Sequence, residues 1–278
     1  MGRFARELQG RLETTRLRIH GHSPYQVAVI HGGPGAAGEM TPVARFLARS
    51  RGVLEPIQTA ESVKGQIGEL RKVLEREASL PAVLVGFSWG AWLSFMLAAR
   101  HPGLVRKLIL VSSGPFRSDD ATGLRAARMG RLTEVDRNAF EAAFADLRRG
   151  GKDDRSAALA RLGRLTRKAD GYDPLPEAPE EKVLPDAAVF EKVWREAAEL
   201  RRRGVLLEMG SRITCPVVAI HGDYDPHPAE GVRGPLSAVL EDFRFVLLEH
   251  CGHKPWIERQ ARKAFFQALD GEIRETLA

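Results

Sequence analysis

A serine set between two glycines lies in the segment Ala82–Gly90, which reads AVLVGFSWG. Gly86, Ser88 and Gly90 form a Gly-x-Ser-x-Gly pattern between an apolar run typical of a buried strand and a helical run. On such a tight turn the hydroxyl is exposed, and glycines are required where side chains would collide with neighbouring elements. The pattern predicts a nucleophilic serine at position 88, with an ordinary helix N-cap as the alternative role.

Two segments nearer the C-terminus carry groups that can activate such a serine. The run VVAIHGDYD contains Asp223 and Asp225, and the run EHCGH contains His250 and His253. Both runs follow or include predicted strands, and the chain order serine, aspartate, histidine is one in which triads of nucleophile, acid and base occur. We favour His253 as the base, because the adjacent glycine permits a sharp turn. His250 is the alternative base, and both aspartates are candidates for the acid.

The loop HGGPG, residues 31–35, follows another predicted buried strand. In a serine hydrolase such a loop supplies one backbone N–H of the oxyanion hole, and the residue after the nucleophile supplies the other. Here these donors are Gly33 and Trp89. Glycine suits the first position, because its backbone must approach the substrate oxygen without an intervening side chain. Together these residue types predict acyl transfer through a covalent intermediate.

Strands and helices alternate around these motifs, which indicates an α/β fold with a mostly parallel sheet flanked by helices. The ends of such strands bring the motifs to one edge of the sheet. The predicted strands are Leu17–His20, Tyr25–Ile30, Val53–Ile57, Ala82–Gly86, Lys107–Ser112, Val217–Ile220 and Phe243–Leu248, and the predicted helices are Met40–Arg49, Glu61–Glu77, Ala91–Arg100 and Pro255–Ala268.

The alternation stops between about residues 115 and 212, where the sequence predicts several amphipathic helices and a proline-rich loop from Asp170 to Pro179. A helical insertion of this size predicts a cap on an α/β core. We therefore divide the chain into a core, residues 1–114 and 213–278, and a helical cap (lid), residues 115–212. A second independent domain is the alternative.

Composition narrows the classes of partner. The 278 residues carry a net charge of +6, but the basic residues are dispersed and no basic-aromatic motif occurs. A small-molecule substrate is therefore expected and a nucleic-acid partner is not. Two cysteines imply no disulfide framework, and neither a metal site nor a cofactor is predicted. The first residues lack a signal-peptide core and no run is long enough for a membrane span, so a cytoplasmic location without membrane association is expected. Composition does not fix the oligomeric state.

A G-x-G-x-x-G pattern at Gly33–Gly38 offers a rival function. It follows a strand, and Glu55 lies roughly twenty residues further on, as in dinucleotide-binding oxidoreductases. Pro34 argues against this reading, since it removes an N–H where a phosphate needs donors. A catalytically inactive binding protein on the same fold is a further alternative.

The sequence resembles the α/β-hydrolase superfamily over nearly its whole length. Within it, the loop HGGPG and the run Ser88-Trp89-Gly90 resemble the proline iminopeptidase branch and its esterase relatives. The resemblance implies Asp225, the second aspartate of Gly-Asp-x-Asp, as the acid and His253 of the Gly-His step as the base. Phe87 departs from the pattern, because the aminopeptidase branch has a small residue before its nucleophile.

This resemblance implies a serine hydrolase that cleaves an ester or amide of a small molecule. Because of Phe87 we favour an esterase, with an aminopeptidase as the alternative and a lyase reaction as a distant third. Phe87, Trp89 and the apolar cap helices suggest a partly apolar acyl or leaving group. The Arg-rich first part of the cap suits an anionic substrate or a solvated face, and its Glu-rich later part suits the amine of an aminopeptidase substrate.

Overall fold

A seven-stranded sheet forms the centre of the computed structural model, which describes residues 17–149, 151–176 and 186–278. Its strands are β1 (Leu17–His20), β2 (Tyr25–Ile30), β3 (Gly52–Pro56), β4 (Ala82–Phe87), β5 (Val105–Val111), β6 (Val217–Gly222) and β7 (Phe243–Leu248). In space the order is β1-β3-β2-β4-β5-β6-β7, with β1 antiparallel to β3 and all other neighbours parallel. The predicted fold class is therefore confirmed.

Helices cover both faces of the sheet, because alternate residues of a strand point to opposite sides. Leu84 and Leu108 join one buried cluster, while Val83 and Ile109 join the other. The helices are α1 (Thr41–Leu47), α2 (Val63–Glu77), α3 (Trp89–Arg100), α4 (Leu124–Arg131), α5 (Glu134–Arg149), α6 (Lys152–Asp170), α7 (Ala187–Arg202), α8 (Val205–Glu208), α9 (Glu230–Val239) and α10 (Arg262–Leu277). The first cluster lies under α2, α3, α7 and α9, and the second under α1 and α10.

Two helices differ from the sequence prediction. Helix α9 has no counterpart in the sequence prediction, because two glycines and Pro235 lie inside it. The predicted helix Pro255–Ala268 is a short 3-10 turn, Pro255–Ile257, followed by α10 further along the chain. Between the two, Glu258 has an extended backbone and its carboxylate accepts backbone N–H groups from other segments.

The order of the strands creates a crevice at one edge of the sheet. After β2 the chain moves to β3 on one side, whereas after β4 it moves to β5 on the other, so the loops that follow β2 and β4 diverge. Ligands of open α/β sheets bind at such a switch point, beyond the carboxyl ends of the strands. The predicted oxyanion loop follows β2, and the predicted nucleophile follows β4.

A helical segment, α4 to α8 with two short 3-10 turns, connects β5 to β6. Within it α7 packs on the sheet core through Val189, Val193 and Ala197. Helices α5 and α6 form a separate small apolar cluster with the start of α7, which includes Ala143, Leu159 and Ala187. Residues 177–185 of the predicted proline-rich loop lie outside the described residues, and the division into core and cap stays a prediction.

Among the described residues, no helix combines the length and apolar character that a bilayer crossing requires. The N-terminal residues on which the signal-peptide prediction rests lie outside the described part of the chain.

Candidate active site

The backbone at Ser88 has the geometry of a strained turn. Its φ of 52° and ψ of −112° lie in a region that residues other than glycine rarely adopt. A Cβ at Gly90 would stand 2.3 Å from the carbonyl oxygen of Ile30, and one at Gly86 would stand 2.3 Å from that of Gly90. The two glycines are therefore required by close backbone approach. Ser88 precedes α3, yet its hydroxyl makes no capping hydrogen bond, so the N-cap alternative is not what the structure contains.

The hydroxyl of Ser88 faces an imidazole instead. Its Oγ lies 3.2 Å from Nε2 of His253, and Nδ1 of His253 donates to Oδ2 of Asp225 at 2.7 Å. The three side chains come from loops after three different strands, β4, β6 and β7, whose carboxyl ends are aligned in register. The structure thus brings together the predicted nucleophile, base and acid.

The two alternatives for acid and base lie elsewhere in the same loops. Asp223 accepts the backbone N–H groups of His250 and Cys251, at 3.1 and 3.0 Å, and so fixes the turn that follows β7. His250 is exposed, and its ring packs against that of Tyr172 at 5.2 Å. Neither residue contacts Ser88 among the interactions of the described chain.

Asp225 is buried among three histidines. Besides His253, the side chain and the backbone N–H of His227 both donate to its Oδ1, at 2.8 and 2.9 Å, and Nε2 of His221 lies 3.6 Å from Oδ2. Burial alone would raise the pKa of Asp225, but the surrounding histidines, led by His253, outweigh it and hold the pKa well below its ordinary value. Asp225 is therefore ionised at neutral pH.

His253 is held as a stronger base than an isolated histidine. Burial lowers its pKa, but the charge of Asp225 and the hydrogen bond to that carboxylate raise it more, so the pKa lies above the ordinary value of 6.5. Among more distant groups, Asp170 raises this pKa and Arg128 lowers it. These two form a bidentate ion pair at 2.7 and 2.6 Å.

The loop that carries His253 is tied to the helical segment. The backbone N–H of His253 donates to the carbonyl of Asp170, the last residue of α6, at 2.9 Å. The fully buried carboxylate of Glu258 accepts the N–H of Gly252 at 3.0 Å and those of Tyr172 and Asp173 at 2.9 and 2.8 Å. No sequence motif pointed to Glu258, which lies inside the helix that the sequence predicted there.

The predicted oxyanion donors lie on the loops that diverge at the switch point. Gly33 has a φ of 36°, and neither its N–H nor that of Trp89 donates a hydrogen bond to another group within the described residues. His31 fixes the first loop, because its Nδ1 donates to the carbonyl of Gly32 at 2.8 Å and its Nε2 accepts the N–H of Gln58 at 3.3 Å. Within the described ranges, both loops therefore carry a backbone N–H without a partner at the carboxyl ends of the strands.

Phe87 and Trp89 do not support the expectation of an apolar substrate. Both side chains are buried, with 1% and 2% of their surface exposed. The ring of Phe87 packs beside the imidazole of His253 at 4.9 Å, and the indole N–H of Trp89 donates to Gln66 at 2.9 Å. They pack in the core beneath the site and do not support the expectation of a partly apolar acyl or leaving group, which stays a prediction.

Asp225, His227 and His253 form a group of potential metal ligands. Ligand atoms that share a tetrahedral Zn²⁺ at about 2.0 Å stand roughly 3.3 Å apart. Here each Nδ1 lies only 2.7 or 2.8 Å from a carboxylate oxygen, which is the spacing of a hydrogen bond. The arrangement therefore fits proton sharing better than ion binding.

The alternative hypothesis of a dinucleotide site requires an accessible acidic residue at the end of β3. Glu55 is fully buried, where it accepts hydrogen bonds from Thr41 at 2.8 Å and pairs with His20 at 2.8 Å. Its carboxylate is therefore engaged inside the protein and is not accessible to a ribose hydroxyl, as a dinucleotide site would need.

Comparisons with known proteins agree with this geometry. The family model described as the alpha/beta hydrolase fold matches residues 70–260, more than half of the chain. A pimeloyl-(acyl-carrier protein) methyl ester esterase of Neisseria meningitidis, serogroup B strain MC58, is 27% identical over 183 residues. That match covers 64% of each protein, so the chain spans just under two thirds of the length of this curated relative.

Solved structures show the same fold. The structure of VinJ superimposes with a TM-score of 0.68 at 18% identity, covering 94% of both chains. A proline iminopeptidase of Mycobacterium smegmatis gives a TM-score of 0.59 at 18% identity, again over 94% of both chains. The chain belongs to the α/β-hydrolase family.

Proposed function

We propose that the protein is a serine hydrolase that cleaves a carboxylic ester of a small molecule through an acyl-enzyme intermediate. The observation that carries this proposal is the continuous connection from Ser88 Oγ to His253 at 3.2 Å and from His253 to Asp225 at 2.7 Å. A serine hydroxyl in contact with a base that is itself oriented by a third group is the arrangement that nucleophilic catalysis requires.

The proposed reaction begins when His253 accepts the proton of Ser88. Oγ attacks the ester carbonyl, Asp225 stabilises the imidazolium that forms, and the proton passes to the departing alcohol. Water, deprotonated by His253, then attacks the acyl-enzyme, which releases the acid and restores the serine. The ionised state of Asp225 and the raised pKa of His253 support these roles.

The oxyanion formed in both steps needs donors. The backbone N–H groups of Gly33 and Trp89, which are free of partners within the described residues, are proposed to bind it. A donor of this kind contributes typically ~3 kcal/mol to the stability of the transition state. No cofactor takes part in this mechanism, and the helical segment between β5 and β6 is proposed to act as the cap that selects the substrate.

Esterase activity is favoured over aminopeptidase activity for two reasons. The curated relative named above is an ester hydrolase. An aminopeptidase also needs a carboxylate that is free to bind the substrate amine, whereas three acidic groups around this site, within the described part of the chain, are already engaged. Asp170 is paired with Arg128, Glu258 binds three backbone N–H groups, and Glu39 lies 3.1 Å from Lys254.

A hydrolysis panel tests the proposal. Wild type and Ser88→Ala are compared on p-nitrophenyl acyl esters and on prolyl and other aminoacyl anilides. We expect ester turnover in wild type and its loss in the variant, with an unchanged unfolding transition. Substantial turnover by Ser88→Ala would contradict the mechanism. Cleavage confined to aminoacyl anilides would instead assign the aminopeptidase reaction.

A further inference from the structure

We propose that His227 is a positioning residue, which holds the carboxylate of Asp225 in the orientation that His253 needs. This inference rests on the proposed function. It concerns a residue that neither the Gly-x-Ser-x-Gly pattern nor the order of the triad singles out, and that lies two positions after the acid in the turn Asp225-Pro226-His227-Pro228.

The hydrogen bonds divide the carboxylate of Asp225 between two imidazoles. Oδ2 accepts from Nδ1 of His253 at 2.7 Å, while Oδ1 accepts from both the side-chain Nδ1 and the backbone N–H of His227. With two donors on Oδ1, the carboxylate cannot rotate about its side-chain bond without losing hydrogen bonds in a buried site, which is costly. Oδ2 is therefore kept facing His253.

His227 is itself fixed from the far side. Its carbonyl accepts the Nε2–H of His221, a fully buried histidine at the end of β6, at 2.9 Å. Pro226 and Pro228 flank it and restrict the backbone on both sides. The ring of His227 lies 4.7 Å from that of His253, tilted by 37°, so the two imidazoles stand side by side over one carboxylate.

The charge state of His227 suits this role. Burial lowers its pKa, and this outweighs the attraction of Asp225, while the positive groups that face it, His253 and Arg128, lower the pKa further. A neutral imidazole with its proton on Nδ1 donates to Asp225 without placing a second positive charge beside the imidazolium that forms on His253. His227 thus supplies a hydrogen bond and no competing cation.

Two substitutions separate the hydrogen bond from the bulk of the ring. His227→Leu keeps most of the bulk of the side chain but removes the Nδ1–H donor. In His227→Asn the amide nitrogen can donate in place of Nδ1. His101→Leu is the control, because this half-buried histidine lies beyond the C-terminal end of α3, at the opposite end from Ser88. Circular dichroism and urea unfolding establish that each variant is folded.

Ester hydrolysis gives the first measurement. A hydrogen bond to a charged group that is lost in a buried site corresponds to a fall of about 10- to 100-fold in kcat. We expect this fall for His227→Leu with KM unchanged, recovery to within about threefold of wild type for His227→Asn, and no change for His101→Leu. A His227→Leu variant that is folded and keeps kcat within about twofold of wild type contradicts the proposal.

Proton NMR gives a second measurement that needs no substrate. The Nδ1–H of His253, bonded to a carboxylate and shielded from water, gives a far-downfield resonance. We expect this resonance in wild type and in His227→Asn, and its loss through exchange in folded His227→Leu. Its persistence in His227→Leu overturns the positioning role whether or not any ester is hydrolysed. Absent ester turnover with the expected NMR result would contradict the proposed function alone.

Discussion

The predicted nucleophile and the predicted base are held in place by different means. The Ser88 turn is fixed by close backbone packing, since a Cβ at either flanking glycine would stand 2.3 Å from another backbone oxygen. The His253 loop is fixed by hydrogen bonds that cross to the helical segment, from its own N–H to Asp170 and from Gly252 to Glu258. Contacts within the α/β core hold the Ser88 turn, whereas the position of His253 depends on both the core and the helical segment.

This difference has a consequence for substrate selection. A proposed cap that binds the base loop directly couples its own position to the geometry of the triad, so changes in the cap alter turnover as well as affinity. The nucleophile turn makes no such connection in the contacts described above, and substitutions at its flanking glycines, Gly86 and Gly90, act on folding first.

The largest loss of turnover is expected from Asp225→Asn, which removes the carboxylate that orients His253. The amide no longer carries the charge that stabilises the imidazolium of His253 and no longer reliably accepts the hydrogen bond of its Nδ1–H, so kcat should fall by about 10⁴-fold. Asp223→Asn is the matched control, because its carboxylate binds the turn at His250 and Cys251 and makes no hydrogen bond to the triad among the described residues. Steady-state ester kinetics with both variants make the comparison, and a larger loss for Asp223→Asn would reverse the assignment.

On the nucleophile side, Gly90→Ala should act through stability. The new Cβ would lie 2.3 and 2.5 Å from the carbonyl oxygens of Ile30 and His31, distances that no small adjustment relieves. We expect the free energy of unfolding in urea to fall by about 4 kcal/mol or more. Gly68→Ala is the control: it has open space in α2 and should gain about 0.5–1 kcal/mol. Equal stabilities of the two variants would disprove the steric account.

A smaller effect on both stability and turnover is expected from Glu258→Gln. One side-chain oxygen is replaced by an NH₂ group that faces backbone donors, so a buried N–H loses its acceptor at a cost of about 1–3 kcal/mol. The loop of His253 is loosened as well, and kcat should fall more than KM changes. Glu249→Gln, an exposed position on the same loop, is the control. Unchanged kcat in a destabilised Glu258→Gln variant would show that the cross-region contact does not position the base.

The smallest expected effect concerns the pKa of His253, which the pH dependence of activity measures. His253 acts as a base only when neutral, and its folded-state pKa lies above 6.5 because of Asp225. Activity should therefore fall as the pH decreases through a midpoint above 6.5, measured as kcat/KM for an uncharged ester. A midpoint below 6.5 would mean that burial, rather than the carboxylate, dominates this site.

The hydrophobic pattern of the sequence predicts the short buried strands best. The bounds predicted for β1, β2 and β7 agree with the structure, because short apolar runs between turn residues specify buried strands. Helix α9 was missed, since tertiary packing of Val232 and Leu236 overrides the proline and glycines inside it. Local propensity carries no information about such packing.

The residues of the candidate site likewise divide into those that the sequence predicts and those whose role depends on tertiary contacts. Local turns predict Ser88 and His253, the family resemblance implies Asp225, and the structure brings the three side chains together. His227 and Glu258 were not predicted, because their importance lies in hydrogen bonds to Asp225 and to Tyr172 that form only on folding. Two prolines around His227 were the only local signal that its position is constrained.

Covalent labelling tests the central claim most directly. A fluorophosphonate is incubated with wild type and with Ser88→Ala, and the products are measured by intact-mass and peptide mass spectrometry. In the proposed mechanism the oxygen of Ser88 bonds to phosphorus and fluoride leaves, so we predict one adduct per chain, on the peptide that contains Ser88, and none in the variant. A folded wild type that stays unlabelled, or a Ser88→Ala variant that is labelled equally, would contradict the assignment of Ser88 as the nucleophile.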